Sequence, residues 1–133
     1  MEFIKKHPEA QLPTRSSKHS VGYDFYIFED TEFYPNQFKL VDTYVAVDLP
    51  EDMHLQLHAR SSLYKKRGFI FPNSPGIIDP DYTDSIKIPL VNLTDLPVTL
   101  KKGERVAQGI FIHHQTFDEV EGERVGGFGS SGK

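Results

Sequence analysis

Residues 53–59 read MHLQLHA. In an extended chain successive side chains alternate faces, so Met53, Leu55, Leu57 and Ala59 fall on one side and His54, Gln56 and His58 on the other. The same two-residue period recurs at Val45, Val47 and Leu49 against Ala46 and Asp48, and at Ile86, Ile88 and Leu90 against Lys87 and Pro89. Nine prolines and ten glycines, spread throughout, close these runs and leave few windows long enough for a helix. The pattern predicts an all-β sandwich or barrel with strands over 2–5, 22–28, 37–41, 43–49, 53–59, 69–71, 76–78, 85–92, 96–100 and 105–114. One helical exception is expected at 61–66, where Ser61 or Ser62 would cap a single turn. No internal repeat interrupts the chain, so one domain is expected over 1–133. Its β core would span 1–121, followed by a Gly/Ser-rich mobile tail over 122–133.

The composition excludes several classes of function. The 133 residues carry 15 Lys+Arg against 19 Asp+Glu, a net charge of −4, and no cysteine. Without cysteine there is no disulfide scaffold, thiol nucleophile or cysteine-ligated zinc. A mildly acidic chain lacks the basic footprint of a non-specific nucleic-acid binder. No apolar stretch approaches the roughly 20 residues that span a bilayer, and MEFIKKHPEA does not read as a signal peptide. A cytoplasmic protein with neither a nucleic-acid nor a membrane partner is expected.

Three segments carry candidate chemistry: ARSSLYKKRG (59–68), NSPGIIDPDYTDS (73–85) and GERVAQGIFI (103–112). In the first, Arg60 offers a bidentate fork beside the donors of Ser61 and Ser62, which suits an anion, although a surface loop with a structural serine has the same sequence. In the second, Asp79 and Asp81 of an extended segment would project to one side, within reach of a shared water or divalent ion, and either could serve as a general base. The alternative is an Asp-Pro turn. His54 and His58 are roughly 13 Å apart on a strand, too far to share one zinc, and the adjacent His113 and His114 face opposite sides. Residues 127–133 (GFGSSGK) have the GxxxxGK spacing of a P-loop, but no strand is read before them.

Taken in order, these segments resemble the trimeric dUTPase family. VGYDFY (21–26) is similar to its first motif, ARSSLYKKRG to the second, NSPGIIDPDY to the third, GERVAQGIF to the fourth and VGGFGSSGK (125–133) to the glycine-rich fifth. The resemblance implies a distorted jelly-roll-like subunit, a homotrimer with shared active sites, and Mg²⁺-assisted hydrolysis of dUTP to dUMP and pyrophosphate. That activity keeps uracil out of DNA and supplies dUMP for thymidylate synthesis. Asp79 matches the aspartate that activates the attacking water, and Tyr82 the tyrosine beneath the deoxyribose. Asn73 and the backbone of Gly76, Ile77 and Ile78 match the hairpin that reads uracil. Arg60, Ser61, Ser62 and Gln108 match phosphate-side positions, Lys87 a substrate-side position on the following strand, and Asp24 the first-motif aspartate near the metal's water shell. Phe128 matches the tail aromatic that closes over the base, with Ser130 and Ser131 beside the γ-phosphate. The chain departs from the family at Thr83-Asp84-Ser85, where a Gly-containing turn is usual. It departs again at Glu123, which holds the usual place of the tail arginine and leaves Arg124 one residue nearer Phe128. A related deaminase would need a glutamate where this chain has Pro89, which cannot move a proton. A pyrophosphatase for another deoxypyrimidine triphosphate and a catalytically quiet partner-binding relative are the other readings of the same motifs.

Overall fold

The two-residue alternation of 53–59 becomes an inner strand of the largest sheet. The computed structural model describes residues 1–73 and 75–117. Eleven strands are present among them: β1 (Glu2–Lys5), β2 (Tyr23–Tyr26), β3 (Thr31–Phe33), β4 (Phe38–Asp42), β5 (Val45–Asp48), β6 (Met53–Ala59), β7 (Phe69–Ile70), β8 (Gly76–Ile78), β9 (Lys87–Asn92), β10 (Val98–Leu100) and β11 (Arg105–His113). They form a four-stranded sheet in the order β2-β11-β6-β8, a three-stranded sheet β4-β9-β7, and the pairs β1-β5 and β3-β10, every pairing antiparallel. This is the expected all-β, jelly-roll-like arrangement.

Leu55 and Leu57 of β6 are fully buried, as are Ile86, Ile88 and Leu90 in and beside β9, so the two alternating runs supply facing layers of one core. Phe33 and Phe69 meet edge to face at 4.9 Å within it. Such contacts are the preferred geometry of rings whose edges are positive and faces negative. Phe3 caps one end of the large sheet, packing on Tyr23, Phe25 and Phe111.

Strands 53–59 and 76–78 match the expectation residue for residue, and 22–28 shortens to Tyr23–Tyr26. β3 has no counterpart in the sequence reading. Its three residues show no alternation of their own and become a strand only by pairing with β10. The turn after β6 also differs in kind. Ser61 and Ser62 are helical, but Leu63–Arg67 winds as a π turn, and Ser62 makes no side-chain cap bond. Gly68 ends it in the left-handed region (φ 71°), and its N–H donates to the Tyr64 carbonyl at 2.8 Å. Any Cβ there would also collide with the Thr94 methyl. The anticipated tail, with Arg124, Phe128, Ser130 and Ser131, lies outside the described residues, as does the boundary at 121–122. Among the described residues no helix is long and apolar enough to cross a membrane.

Candidate active site

Antiparallel register brings the first, second and fourth motifs to one rung of the large sheet. On β11, Gln108 stands opposite Asp24 of β2 on one side and His58 of β6 on the other. β6 then runs into the turn that carries Arg60 and Ser61. Gly22, Asp24, His58, Arg60, Ser61 and Gln108 together line an open cleft of about 530 Å³. Close approach at this rung depends on Gly22, because a Cβ there would run into Gln108 Oε1.

The cleft's electrostatics centre on Asp24, which is buried at 6% exposure. Arg60 Nε lies 3.1 Å from its Oδ1, and Arg105 Nη1 lies 3.4 Å from its Oδ2. Two guanidiniums around one carboxylate leave one positive charge in surplus, and Arg60, which lines the cleft, brings it within reach of an anion. Arg60 Nη1 also donates to the Arg105 carbonyl at 3.4 Å and to Ser62 Oγ at 3.5 Å, so Ser62 helps to hold the guanidinium. Gln108 Nε2 donates to the Ala59 carbonyl at 3.4 Å.

The third motif is built elsewhere on the chain. β8 lies at the edge of its sheet, paired with β6 alone among the described residues. Gly76 and Ile78 face inward, Ile77 is half exposed, and Asn73 is exposed. Asp79 and Asp81 are not held on one side of an extended segment. The chain turns at Pro80-Asp81, and the Tyr82 N–H donates to the Asp79 carbonyl at 3.0 Å. The Asp-Pro turn reading therefore replaces the shared-ion geometry. Tyr82 is 5% exposed, and its hydroxyl donates to the Ser85 carbonyl at 2.8 Å, which fixes the ring. Asp84, the departure from the family turn, accepts the Ser85 N–H at 2.7 Å. Its other oxygen lies 3.8 Å from Lys87 Nζ, which also approaches Asp42 across the strand pair at 3.9 Å. The extra negative charge is thus met by a cation on the spot. Asn73, Gly76, Ile77, Ile78, Asp79, Tyr82 and Lys87 do not line the Arg60 cleft.

Sequence reasoning missed His58 and Arg105. His58 was set aside as half of a failed zinc pair, while Arg105 lay inside the fourth motif without a role. His58 shares the outward face of its strand with His54 and Gln56, which was an available signal; Arg105 stands three residues from Gln108, and the register shift between Arg105 and Ala107 hid its approach to Asp24 from a two-residue period. No three His, Asp or Glu side chains converge as a metal site among the described residues.

The chain is thus an all-β protein with an arginine-bearing cleft suited to an anionic ligand on one sheet, and an aspartate-tyrosine turn after an edge strand. The family model for dUTPase matches residues 8–132, and the chain belongs to the dUTPase family. The deoxyuridine 5'-triphosphate nucleotidohydrolase of Lactococcus lactis is 36% identical over 143 residues, spanning 98% of this chain and 95% of that one. The dUTPase structure from Streptococcus mutans superposes with a TM-score of 0.84 at 34% identity, covering 90% of this chain and all (100%) of the other. The dUTPase of phage phi11 of S. aureus, a variant of which reveals the coordination of a structural Mg(II) ion, shares the fold with a TM-score of 0.81 at 21% identity, over 92% of this chain and 96% of that one.

Proposed function

We propose that the chain hydrolyses dUTP to dUMP and pyrophosphate at a site completed by a second copy of itself. The observation that carries this reading is the division of the family's motifs. The phosphate-side residues Asp24, Arg60, Ser61 and Gln108 share one cleft, whereas Asp79, Tyr82 and the β8 hairpin sit outside it. A homotrimer in which one subunit's hairpin faces its neighbour's cleft reunites them. Exposed Val21 on the cleft rim (71%) and Ile77 on the hairpin (50%) supply apolar surface for such a contact.

Cleaving a phosphoanhydride demands charge neutralisation, an aligned water and exclusion of bulk solvent. Arg60 binds the phosphates with its guanidinium, held in place by Asp24 and Ser62, and Gln108 donates beside it. Asp79 orients the attacking water and accepts its proton. Tyr82, anchored through its hydroxyl, gives the deoxyribose a fixed platform. The outer edge of β8 presents backbone N–H and C=O groups to uracil, as a strand edge can to any planar hydrogen-bonding partner. Discrimination against thymine comes from steric refusal, since one methyl in an apolar pocket is worth only about 1–3 kcal/mol. Phe128 closes over the base, with Ser130, Ser131 and Arg124 on the terminal phosphates. A single carboxylate, Asp24, already engaged by two guanidiniums, does not make a metal cage. It does fit an Mg²⁺ carried in mainly by phosphate and water oxygens, with Asp24 reached through water. Bound there, the ion would set its positive charge against the negative charge developing on the phosphate oxygens.

The deciding experiment incubates the chain and Mg²⁺ with dUTP, dCTP, dTTP and UTP and identifies the products. Release of dUMP and pyrophosphate from dUTP alone is expected. Comparable turnover of dTTP would remove the uracil-specific reading, and no dUMP at all would refute the hydrolase.

A further inference from the structure

Beside the cleft runs a polar chain that the proposed reaction leaves unused. His58 Nε2 lies 3.1 Å from Gln56 Oε1, Gln56 Nε2 lies 3.2 Å from His54 Nε2, and His54 Nδ1 lies 2.9 Å from His114 Nδ1. His114 Nε2 lies 3.1 Å from the Glu51 carbonyl oxygen. Chemistry sets the direction. A carbonyl oxygen only accepts, so His114 carries its hydrogen on Nε2 and, when neutral, accepts at Nδ1. His54 therefore donates from Nδ1 and accepts at Nε2 from the Gln56 amide. Gln56 Oε1 then accepts from His58 Nε2. Every partner is satisfied in one direction with all three rings neutral.

An added proton tells the three rings apart. On His114 Nδ1 it would oppose the hydrogen of His54 Nδ1, and on His54 Nε2 it would oppose the Gln56 amide hydrogens. On His58 Nδ1 it disturbs nothing. Any other placement requires the Gln56 amide to turn and the rings to exchange tautomers. His58 is also the one member of the chain that lines the cleft. Its neighbours on the sheet carry no charge, whereas the loop that contributes Ser16 and Ser20 to the cleft carries Arg15, Lys18 and His19, with Arg15 Nη1 donating to the Lys18 and Ser20 carbonyls at 3.0 and 3.4 Å. Facing this stripe are Gln108, Ile110 and Ile112 of β11 and Ile77 of β8, none of them ionisable. At the cleft end stand the Asp24 carboxylate and the Arg60 and Arg105 guanidiniums. At the far end are exposed Glu51 and Asp52, whose carboxylate lies 3.7 Å from His113.

We propose that His58 is a further phosphate-binding residue, taking up a proton at Nδ1 as a polyphosphate enters the cleft, with Gln56, His54 and His114 fixing its other nitrogen. The proton comes from solvent, and no covalent step is involved. Around the cleft the two guanidiniums outnumber the single carboxylate. A triphosphate reverses that balance and draws a positive imidazole, which then donates a charge-assisted hydrogen bond next to Arg60. The proposal rests on the dUTP reading for its natural ligand and on the geometry alone for the anion contact.

Two measurements test it. Long-range ¹H–¹⁵N spectra of the whole protein at pH 8 should show His54 as the Nδ1–H tautomer and His58 and His114 as Nε2–H. Inorganic pyrophosphate should move the His58 Nδ1 resonance to the protonated range. In turnover, His58→Leu should raise KM for dUTP about tenfold at pH 6, with the ratio to the unsubstituted enzyme shrinking towards one by pH 8.5 and kcat within about twofold. His58→Asn, whose amide nitrogen stands near the Nδ1 position, should recover part of the loss at every pH. A KM ratio independent of pH, or a His58 Nδ1 indifferent to pyrophosphate, would overturn the proposal. A His58 that answers pyrophosphate in a chain that does not hydrolyse dUTP would refute the dUTP reading and leave the anion contact standing.

Discussion

Replacing Asp24 by asparagine keeps the shape and one acceptor oxygen while removing the charge that holds Arg60 and Arg105. Removing one partner of a fully buried ion pair costs about 3–5 kcal/mol, and of an exposed pair about 0.2–1 kcal/mol. Asp24 is buried, whereas the Arg60 side chain is 26% exposed and that of Arg105 is 43% exposed. The cost therefore falls between these limits, at about 1–2 kcal/mol, with the shorter and drier Arg60 contact carrying the larger share. For a domain of this size that is a fall of about 3–8 °C in Tm. Arg60→Gln alone should cost less than Asp24→Asn, because Arg105 still faces the carboxylate. The double variant Asp24→Asn/Arg60→Gln should reveal a coupling of about 1 kcal/mol, and the Arg105 cycle a smaller one. Urea unfolding at one fixed protein concentration is the assay, since self-association makes apparent stability concentration-dependent. KM for dUTP should rise in Asp24→Asn because the guanidinium loses its tether. An unfolding free energy within about 0.3 kcal/mol of the unsubstituted chain, or strictly additive variants, would show that the pair contributes nothing and that Arg60 is positioned by other contacts.

Asp79→Asn should fold normally and bind a non-hydrolysable dUTP analogue while kcat falls about 10²-fold or more. Near-normal turnover would move the base, with Asp81 the next candidate. Two glycines should behave oppositely on substitution by alanine. At Gly109 the new Cβ meets Leu55 Cδ1 and Phe25 Cε1 at 2.9 Å inside the packed core, a strain of about 1–3 kcal/mol visible in urea unfolding. At Gly22 it meets the Gln108 side chain alone, hardest at its movable Oε1, so stability should hold while KM rises; the reverse pattern would contradict the packing argument. Light scattering should give a trimer mass for the full chain and for a chain ending at Glu121, with turnover lost only in the shortened form. A monomer, or unchanged kcat and KM after truncation, would count against the shared site or the tail's part in it.

Much of this architecture was legible because strand alternation is a local property. Leu55 and Leu57 announce the buried face of β6 without help from the rest of the chain, and the Pro and Gly residues that bound Gly76–Ile78 announce β8 just as directly. β3 was not legible, because Thr31–Phe33 acquires its identity from β10, more than sixty residues further on. The π form of the turn at Leu63–Arg67 was hidden for a related reason: Ser61 and Ser62 look like caps, yet Ser62 is recruited by Arg60 instead. The site divides along the same line. Candidate residues could be named one motif at a time, but which of them meet is decided by register. Gln108 stands between Asp24 and His58 only because β11 lies between β2 and β6. The strand spacing that argues against a common metal for His54 and His58 said nothing of Gln56 bridging them, or of His114 arriving from the far end of β11. A rung of three strands thus assembles a charge balance that no single motif contains. The third motif folds onto an edge strand away from that rung, and the shared site proposed above is what would reunite the two.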